Sequence, residues 1–379
     1  MQKELITTTD PQNYDLYLKE KTDHVINLLQ DNGLSLPKAQ IFPSTPSHYR
    51  MRAEFAIFHT ENGFEYCMYE RENGRKKRVF ISYFDGVSTA INEAMDKLKT
   101  LICNDKVIKK HLFQVDFLAN LKGDVIITLN YHKKLDDVFE SKLQKLRKDL
   151  QSEGHTVDLV ARAYKQKLLC NSDCLMETLH IKDKDLYLYQ IEGTFTQPNA
   201  GTCAKMIEFA LDCSQERQDD LLELYCGSGT FTTALAPLYR KVLATEVARV
   251  PTQNALRNLE KNNIDNVKLV RLSAVEVSQA LNKEREFRRL KQQEINIDEY
   301  DFKTLLIDPP RAGLQEEAAL KFTAQFDRII YISCGPESFA QDLAFLCKTH
   351  KIEKLAFFDQ FPYTKHLESG ALLVRKSYD

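Results

Sequence analysis

From about residue 190 the chain repeats one pattern: a short apolar run, a loop, then a stretch with helical spacing. The successive units are DLLELYCGSGTFTTALA (220–236), KVLATEVARVPTQNALRNLEKN (241–262), VKLVRLSAVEVSQAL (267–281), TLLIDPPRAGL (304–314) and RIIYISCGPESFAQDLAFL (328–346). Apolar strands alternating with helices are what a parallel sheet covered on both faces requires, because parallel neighbours need a crossover between them. KIEKLAFFDQF and GALLVRK then close the sheet as two final strands. The charged stretch 283–301 breaks the alternation and is expected as a surface excursion.

The part before residue 190 has another texture. Residues 13–31 carry apolar positions at helical spacing (Tyr14, Leu18, Val25, Leu28, Leu29) and stop near Asn32-Gly33. From about residue 49, short aromatic-rich runs follow one another, RAEFAIFH, FEYCMYERENG and KRVFISYF, divided by turn signals at Glu61-Asn62-Gly63 and Asn73-Gly74. A helix over 87–103, two strands around Lys122-Gly123 and an amphipathic helix in LDDVFESKLQKLRKDLQ complete the expectation of a mostly antiparallel α+β module. The fold class is therefore α/β plus α+β. Domain 1–185 is expected to hold a helical arm (1–48) and a β-rich part (49–185), with a Rossmann-like domain over 186–379. A length of 379 residues accommodates two cores.

No apolar run approaches the roughly 18 residues of a membrane span, and MQKELITTTD does not read as an export signal. The expectation is a cytoplasmic protein, acting as a monomer, with no membrane partner. Nine cysteines without a CxxC pair fit reduced thiols, and Cys170 with Cys174 has no second pair to complete a metal site, so neither a metal nor an iron–sulfur cluster is expected. The net charge of −2 argues against indiscriminate coating of nucleic acid, yet basic clusters concentrate early in the chain. RENGRKKR (71–78) holds Arg71, Arg75, Lys76, Lys77 and Arg78, and others lie at Lys106, Lys109, Lys110, at Lys133, Lys134, and at Lys142, Lys145, Arg147, Lys148. Each alone could be a solvated surface; together they suit phosphates.

The loop ELYCGSGTF (223–231) lacks the third glycine of a dinucleotide fingerprint and the GK[ST] of a phosphate loop. It offers acids instead: Glu223, read as a strand-end carboxylate, and Glu246 after the next strand, both suited to ribose hydroxyls. An acidic pocket suits a cofactor with a ribose and a cationic amino-acid tail, which S-adenosylmethionine has. Asp308 opens the DPPR turn at a strand end, where α/β sheets bind ligands, and Arg311 suits a phosphate or an enolate oxygen. Cys334, in YISCGP, is a thiol at another strand end, and Glu368 follows in FPYTKHLESG. A thiol and a carboxylate beside a methyl donor suit a carbon too weakly nucleophilic to react unaided. The C5 carbon of uracil is one: thiolate addition at C6 gives C5 carbanion character, and a base must later remove the C5 proton.

These motifs carry a resemblance. TFTQPN (194–199), DLLELYCGSGTF (220–231), ATE (244–246), IDPPRAGL (307–314), YISCGP and FPYTKHLESG are similar to the bacterial tRNA (uracil-5-)-methyltransferases, class I enzymes that make ribothymidine in the T loop. The resemblance implies Cys334 as nucleophile, Glu368 as proton acceptor, and Gln197, Tyr225, Thr230, Glu246 and Asp308 as S-adenosylmethionine contacts. Ser228 and Thr230 stand where asparagines are usual in the family. RMRAEFAIFH (50–59), LFQVDFL (112–118) and YHKKLDD (131–137) match its first half, which implies a tRNA-binding part with Phe113, His132 and Arg311 touching RNA, the aromatics by stacking. Other RNAs with a T-like loop are further candidate partners.

Rival readings stay in view. Ribosomal RNA uracil-5 methyltransferases share this catalytic half, but many carry a cysteine cluster or a small β-barrel ahead of it, and this sequence has neither. RNA cytosine-5 enzymes place a cysteine after the fourth-strand proline, where Arg311 follows Pro310 here. A methyltransferase acting on exocyclic nitrogen would make Cys334 incidental. A tRNA-remodelling protein whose methylation is secondary is the rival from another class.

Overall fold

The computed structural model describes residues 4–72, 74–151, 154–214 and 219–377; Asn73, in the expected turn, lies outside them. The chain opens with helix α1 (Tyr14–Asp31) and strand β1 (Gln40–Phe42). There follow β2 (Arg52–Thr60), β3 (Gly63–Glu72), β4 (Arg75–Ile81), α2 (Thr89–Ile102), β5 (Leu112–Ala119), β6 (Val125–Tyr131), α3 (Asp137–Leu150), β7 (Val157–Ala163) and β8 (Gln166–Cys170). Among the described residues, these seven strands form one sheet in the order β4-β3-β2-β5-β6-β7-β8. Every neighbouring pair is antiparallel except β6 with β7, which α3 links as a crossover. One face of the sheet is dry: Phe55, Tyr66, Phe117 and Leu129 pack with Ile91, Met95 and Leu98 of α2 and Phe139, Leu143 and Leu146 of α3. Ser88 and Asp136 cap those helices by accepting from Ile91 N and Phe139 N. The opposite face carries a transverse row, Phe80-Cys67-Ala56-Gln114-Asn130-Arg162-Lys167, in register across all seven strands.

The hairpin β9 (Cys174–Ile181) and β10 (Lys184–Ile191) leads to α4 (Ala200–Ser214), then β11 (Asp220–Leu224), α5 (Thr230–Leu235), β12 (Val242–Thr245), β13 (Val267–Val270), β14 (Phe302–Ile307), β15 (Arg328–Ser333), β16 (His350–Phe358) and β17 (Glu368–Arg375). The second sheet runs β1-β16-β17-β15-β14-β11-β12-β13, with β17 alone antiparallel to its neighbours. It is the Rossmann-like sheet expected from the strand–helix alternation. The charged excursion is anchored rather than loose, because Phe287, Leu290 and Ile295 are buried in this domain's core.

Of the segment 1–48, expected as an arm of the first domain, helix α1 and strand β1 pack instead on the second sheet. Val25 and Leu29 of α1 are buried in one core with Phe339 and Leu343 of the helix Pro336–Leu346, and β1 pairs in parallel with β16. The expected boundary at 185/186 falls inside β10. The reason is local chemistry: Lys21 of α1 is 2% exposed and forms an ion pair with Asp359, itself 1% exposed. Tyr14 Oη donates to the same carboxylate at 2.8 Å, and Lys21 Nζ also donates to the carbonyls of Phe361 (3.0 Å) and His366 (3.2 Å). Helix α1 thereby holds the loop between β16 and β17. Breaking a buried pair leaves an uncompensated charge, so Lys21→Met is expected to destabilise the protein by about 3–5 kcal/mol in urea unfolding. A loss below about 1 kcal/mol would show that the pair behaves like an exposed one.

Candidate active site and nucleic-acid interface

Four of the candidate residues hold equivalent positions. Tyr225, Glu246, Asp308 and Cys334 are each the first residue past the C-terminal end of a strand, β11, β12, β14 and β15 respectively. Strands β11 and β14 are where the chain order reverses, the usual ligand crevice of an open α/β sheet. Glu368 begins the antiparallel strand β17, and the register Ser333↔Ser369 sets Cys334 and Glu368 one step beyond a matched pair. Gln197, Tyr225, Thr230, Glu246, Asp308, Cys334 and Glu368 all line one cavity of about 620 Å³. The seven residues read from separate motifs thus meet in one place.

Glycines make the approach possible. Gly227 and Gly229 have φ of +55° and +76°, left-handed values that side chains resist. Gly335, next to Cys334, lies so close to the DPPR turn that a Cβ there would stand 2.3 Å from the Arg311 carbonyl oxygen. The turn is pinned from the same side, since Ser338 Oγ donates to that oxygen at 2.8 Å.

The electrostatics are set by burial beside like charges. Burial and the nearby Asp308 raise the Glu368 carboxyl to about 8, with Arg311 acting in the opposite direction. Burial, then Glu368 and Asp308, push the Cys334 thiol up to about 11, again eased by Arg311. Burial takes Asp308 to about 7. A cavity lined by Glu177, Glu246, Asp308 and Glu368 beside the Cys334 thiol favours a cationic guest. The residues present fit S-adenosylmethionine. Each Glu246 oxygen accepts one backbone N–H, Oε2 from Gly227 (3.1 Å) and Oε1 from Ala248 (2.8 Å), leaving lone pairs for hydroxyls. Gln197 Oε1 accepts from Gln360 at 2.9 Å, which leaves the Gln197 amide N–H groups for a ligand.

Glu223 departs from expectation. It sits one residue inside β11, 1% exposed, and is not part of the cavity lining, so it offers nothing to a ribose. Its Oε2 has no hydrogen-bond partner, and burial raises its carboxyl to about 8. The folded protein therefore holds a proton that the unfolded chain releases. That stabilisation is complete below the ordinary value of 4.5 and lost as pH rises through about 8. Glu223→Gln is expected to flatten the fall of Tm over that interval, and an unchanged slope would place the proton elsewhere.

Sequence reading missed Phe195, 72% exposed at the cavity rim with Val247 and Val275, and Glu177, which reaches the cavity from β9. Burial raises Glu177 to about 7 despite hydrogen bonds from Leu121 N and Thr178 N. A lone loop aromatic and a strand carboxylate carry no periodic signal; only the three-dimensional approach of the hairpin reveals them.

The RNA candidates divide. Arg311 stands at the catalytic end, its Nη2 2.6 Å from His366 Nδ1. Phe113 and His132 lie at the far end of the first sheet, stacked on each other with centroids 3.9 Å apart. Each ring therefore covers one face of the other. They border a recess of about 970 Å³ with Lys134, Lys165, Arg162 and Tyr164, the last 85% exposed. From Phe113 to Ala119, whose N–H bonds to Met51 next to the 194–199 loop, β5 spans about 20 Å at roughly 3.4 Å per residue.

The first basic cluster forms an arm. Strand β3 pairs with β2 only as far as Cys67↔Ala56, yet pairs with β4 to Glu72↔Arg75, so residues 68–72 and 75–79 leave the sheet as a two-stranded ribbon. Arg75, Lys76, Lys77 and Arg78 are exposed on it, while the side chain of Arg71 lies outside the described residues. The ribbon points toward the catalytic end: Thr7 bonds Glu70, and Leu5 N bonds Tyr363 O in the loop before Glu368.

The fold and cavity together define a class I S-adenosylmethionine-dependent methyltransferase. A solved Pyrococcus abyssi structure, described as a tRNA (uracil-54, C5)-methyltransferase in complex with S-adenosyl-L-homocysteine, superposes with a TM-score of 0.70, covering 96% of this chain and 84% of that one at 22% identity. The family model for tRNA (uracil-5-)-methyltransferases matches residues 13–376, and the chain belongs to that family. Relatives named tRNA/tmRNA (uracil-C(5))-methyltransferase include those of Photobacterium profundum, 40% identical over 98% of this chain and 99% of the relative, and Pasteurella multocida, 43% identical over 96% and 98%.

If the ribbon meets phosphates, neutralising Arg75 and Lys76 weakens tRNA binding without sequence preference. The slope of log affinity against log salt is expected to shrink by about 0.7–0.9 for each phosphate that the ribbon no longer neutralises. An unchanged slope would exclude the ribbon from the RNA interface.

Proposed function

We propose that this enzyme methylates C5 of the T-loop uridine of tRNA, with Cys334 as covalent nucleophile and Glu368 as the base. The observation that carries the reading is the facing of Cys334 and Glu368 across β15 and β17, inside the cavity that holds the cofactor candidates. Bound S-adenosylmethionine supplies an electrophilic methyl group. Gln197, Tyr225, Thr230, Glu246 and Asp308 would hold it, with Glu246 toward the ribose hydroxyls.

The Cys334 thiolate adds to C6 of the extruded uracil, and electron density moves toward C5 and the ring oxygens. Arg311 is the nearby cation that can meet that charge. After C5 gains the methyl group it still carries its proton. Glu368 removes that proton, the C5–C6 double bond re-forms, and the thiolate leaves. One methyl group enters and one proton departs. Because Glu368 titrates near 8, its ionised, basic form grows as pH rises toward that value.

The target lies in a stacked loop, so reaching C6 costs a few kcal/mol of unstacking. We assign the first sheet, with Phe113, His132 and the basic ribbon, to holding the opened loop, and the second sheet to the chemistry. Methyl transfer to unmodified tRNA followed by nucleoside analysis is expected to yield 5-methyluridine; methylated cytidine or adenosine would overturn the reading. RNA carrying 5-fluorouridine is expected to form a denaturation-resistant adduct with wild type and none with Cys334→Ala, since fluorine cannot leave as the proton does. Glu368→Gln is expected to retain methylated RNA covalently, and prompt product release by that variant would remove Glu368 from its role.

A further inference from the structure

The Arg311–His366 contact joins two loops that the catalytic reading treats separately. Arg311 ends the DPPR turn, and His366 lies two residues before Glu368. Arg311 has no acceptor lone pair, so at 2.6 Å the ring nitrogen Nδ1 must be the acceptor. That requires a neutral ring with its proton on Nε2.

His366 is built in from several sides. Its carbonyl accepts from the buried Lys21 Nζ at 3.2 Å, its N–H bonds Thr364 Oγ1 at 3.2 Å, and the Phe361 ring meets it edge-on at 5.9 Å. The charged groups facing it are Arg311 from the turn, Glu4 from the N-terminal segment, its neighbour Lys365, and Lys21 from α1. Burial is the largest influence and three of the four charged groups are cations, so its proton affinity lies below the ordinary histidine range.

We propose that neutral His366 is a positioning residue, whose Nδ1 holds the Arg311 guanidinium beside Cys334 and Glu368 and whose protonation releases it. Arg311 keeps its remaining N–H groups for the oxygen on which charge develops during attack at C6. A protonated ring offers Arg311 a second cation and no lone pair. The active arrangement is therefore present at neutral pH and lost as pH falls through the His366 titration. The inference rests on the covalent reading above.

Single-turnover formation of the 5-fluorouridine adduct, followed against pH, tests it. Loss of thiolate alone lowers the log rate by about one per pH unit; wild type is expected to steepen toward about two once His366 is protonated. His366→Asn keeps an acceptor near the Nδ1 position without titrating, and should retain most of the rate with the single slope. His366→Ala should be slowed about a hundredfold, the scale of a displaced catalytic group, with cofactor affinity unchanged. Equal rates in wild type and His366→Ala, or the same steep limb in wild type and His366→Asn, would overturn the inference while leaving the covalent reading intact. Absence of the adduct from wild type would instead remove the covalent reading and this inference with it. Nitrogen spectra of labelled histidine in the unaltered enzyme give a check independent of variant folding: Nδ1 without a proton is expected, and an Nδ1–H tautomer at neutral pH would be decisive against it.

Discussion

A buried lysine ties the first helix to the loop that leads into β17. Lys21 and Asp359 are almost wholly removed from water, and their pairing is accompanied by Tyr14 Oη and two loop carbonyls. Burying two charges is costly, and a hydrophobic pair of similar volume often serves stability as well or better. What the pair does here is directional: it fixes where the chain runs between Asp359 and Glu368. Those residues include His366, Glu368 and the start of β17, so helix α1 near the N-terminus determines the position of a carboxylate near the C-terminus.

The second constraint is the shared edge of the parallel strands. Four of the strands that end there, β11, β12, β14 and β15, deliver their next residue to the same cavity, which is why Tyr225, Glu246, Asp308 and Cys334 converge although up to 109 positions separate them. Burial raises the proton affinity of Asp308, and burial followed by the neighbouring acids raises that of Glu368 and the Cys334 thiol. The free site is thus partly discharged at neutral pH, with Glu368 and Asp308 raised to about 8 and about 7. A cationic ligand entering such a site is favoured by the carboxylates it helps to ionise.

The parallel sheet was legible because its signal is periodic and because ligand residues fall at strand ends. That logic found Glu246, Asp308 and Cys334, with Glu368 after the last turn, whereas Gln197, Tyr225 and Thr230 came only from the family resemblance; it failed where one position mattered: Glu223 lies one residue before the end of β11 and is buried within the fold. Residues Gln40–Phe42 are too few to show alternation, so nothing local reveals that they pair with β16. Lys21 sits in a helix whose sequence is largely polar, and burial of that one cation depends on a partner 338 residues away. Phe195 and Glu177 join the site only through the approach of the β9–β10 hairpin. Topological position was readable; contacts between distant edges were not.

In the proposed reading, the two ends of the first sheet divide the work of handling RNA. Phe113 and His132 are already stacked on one another, so a base can use only an outer face of the pair unless the rings part. They stand about 20 Å along β5 from the edge that meets the 194–199 loop. In the reading proposed above, the residues at that far end engage a part of the RNA other than the base that reacts at Cys334. The basic ribbon lies at the opposite end, beside the loop that carries His366 and Glu368. In that reading a folded RNA that contacts both ends at once is held along the length of the sheet.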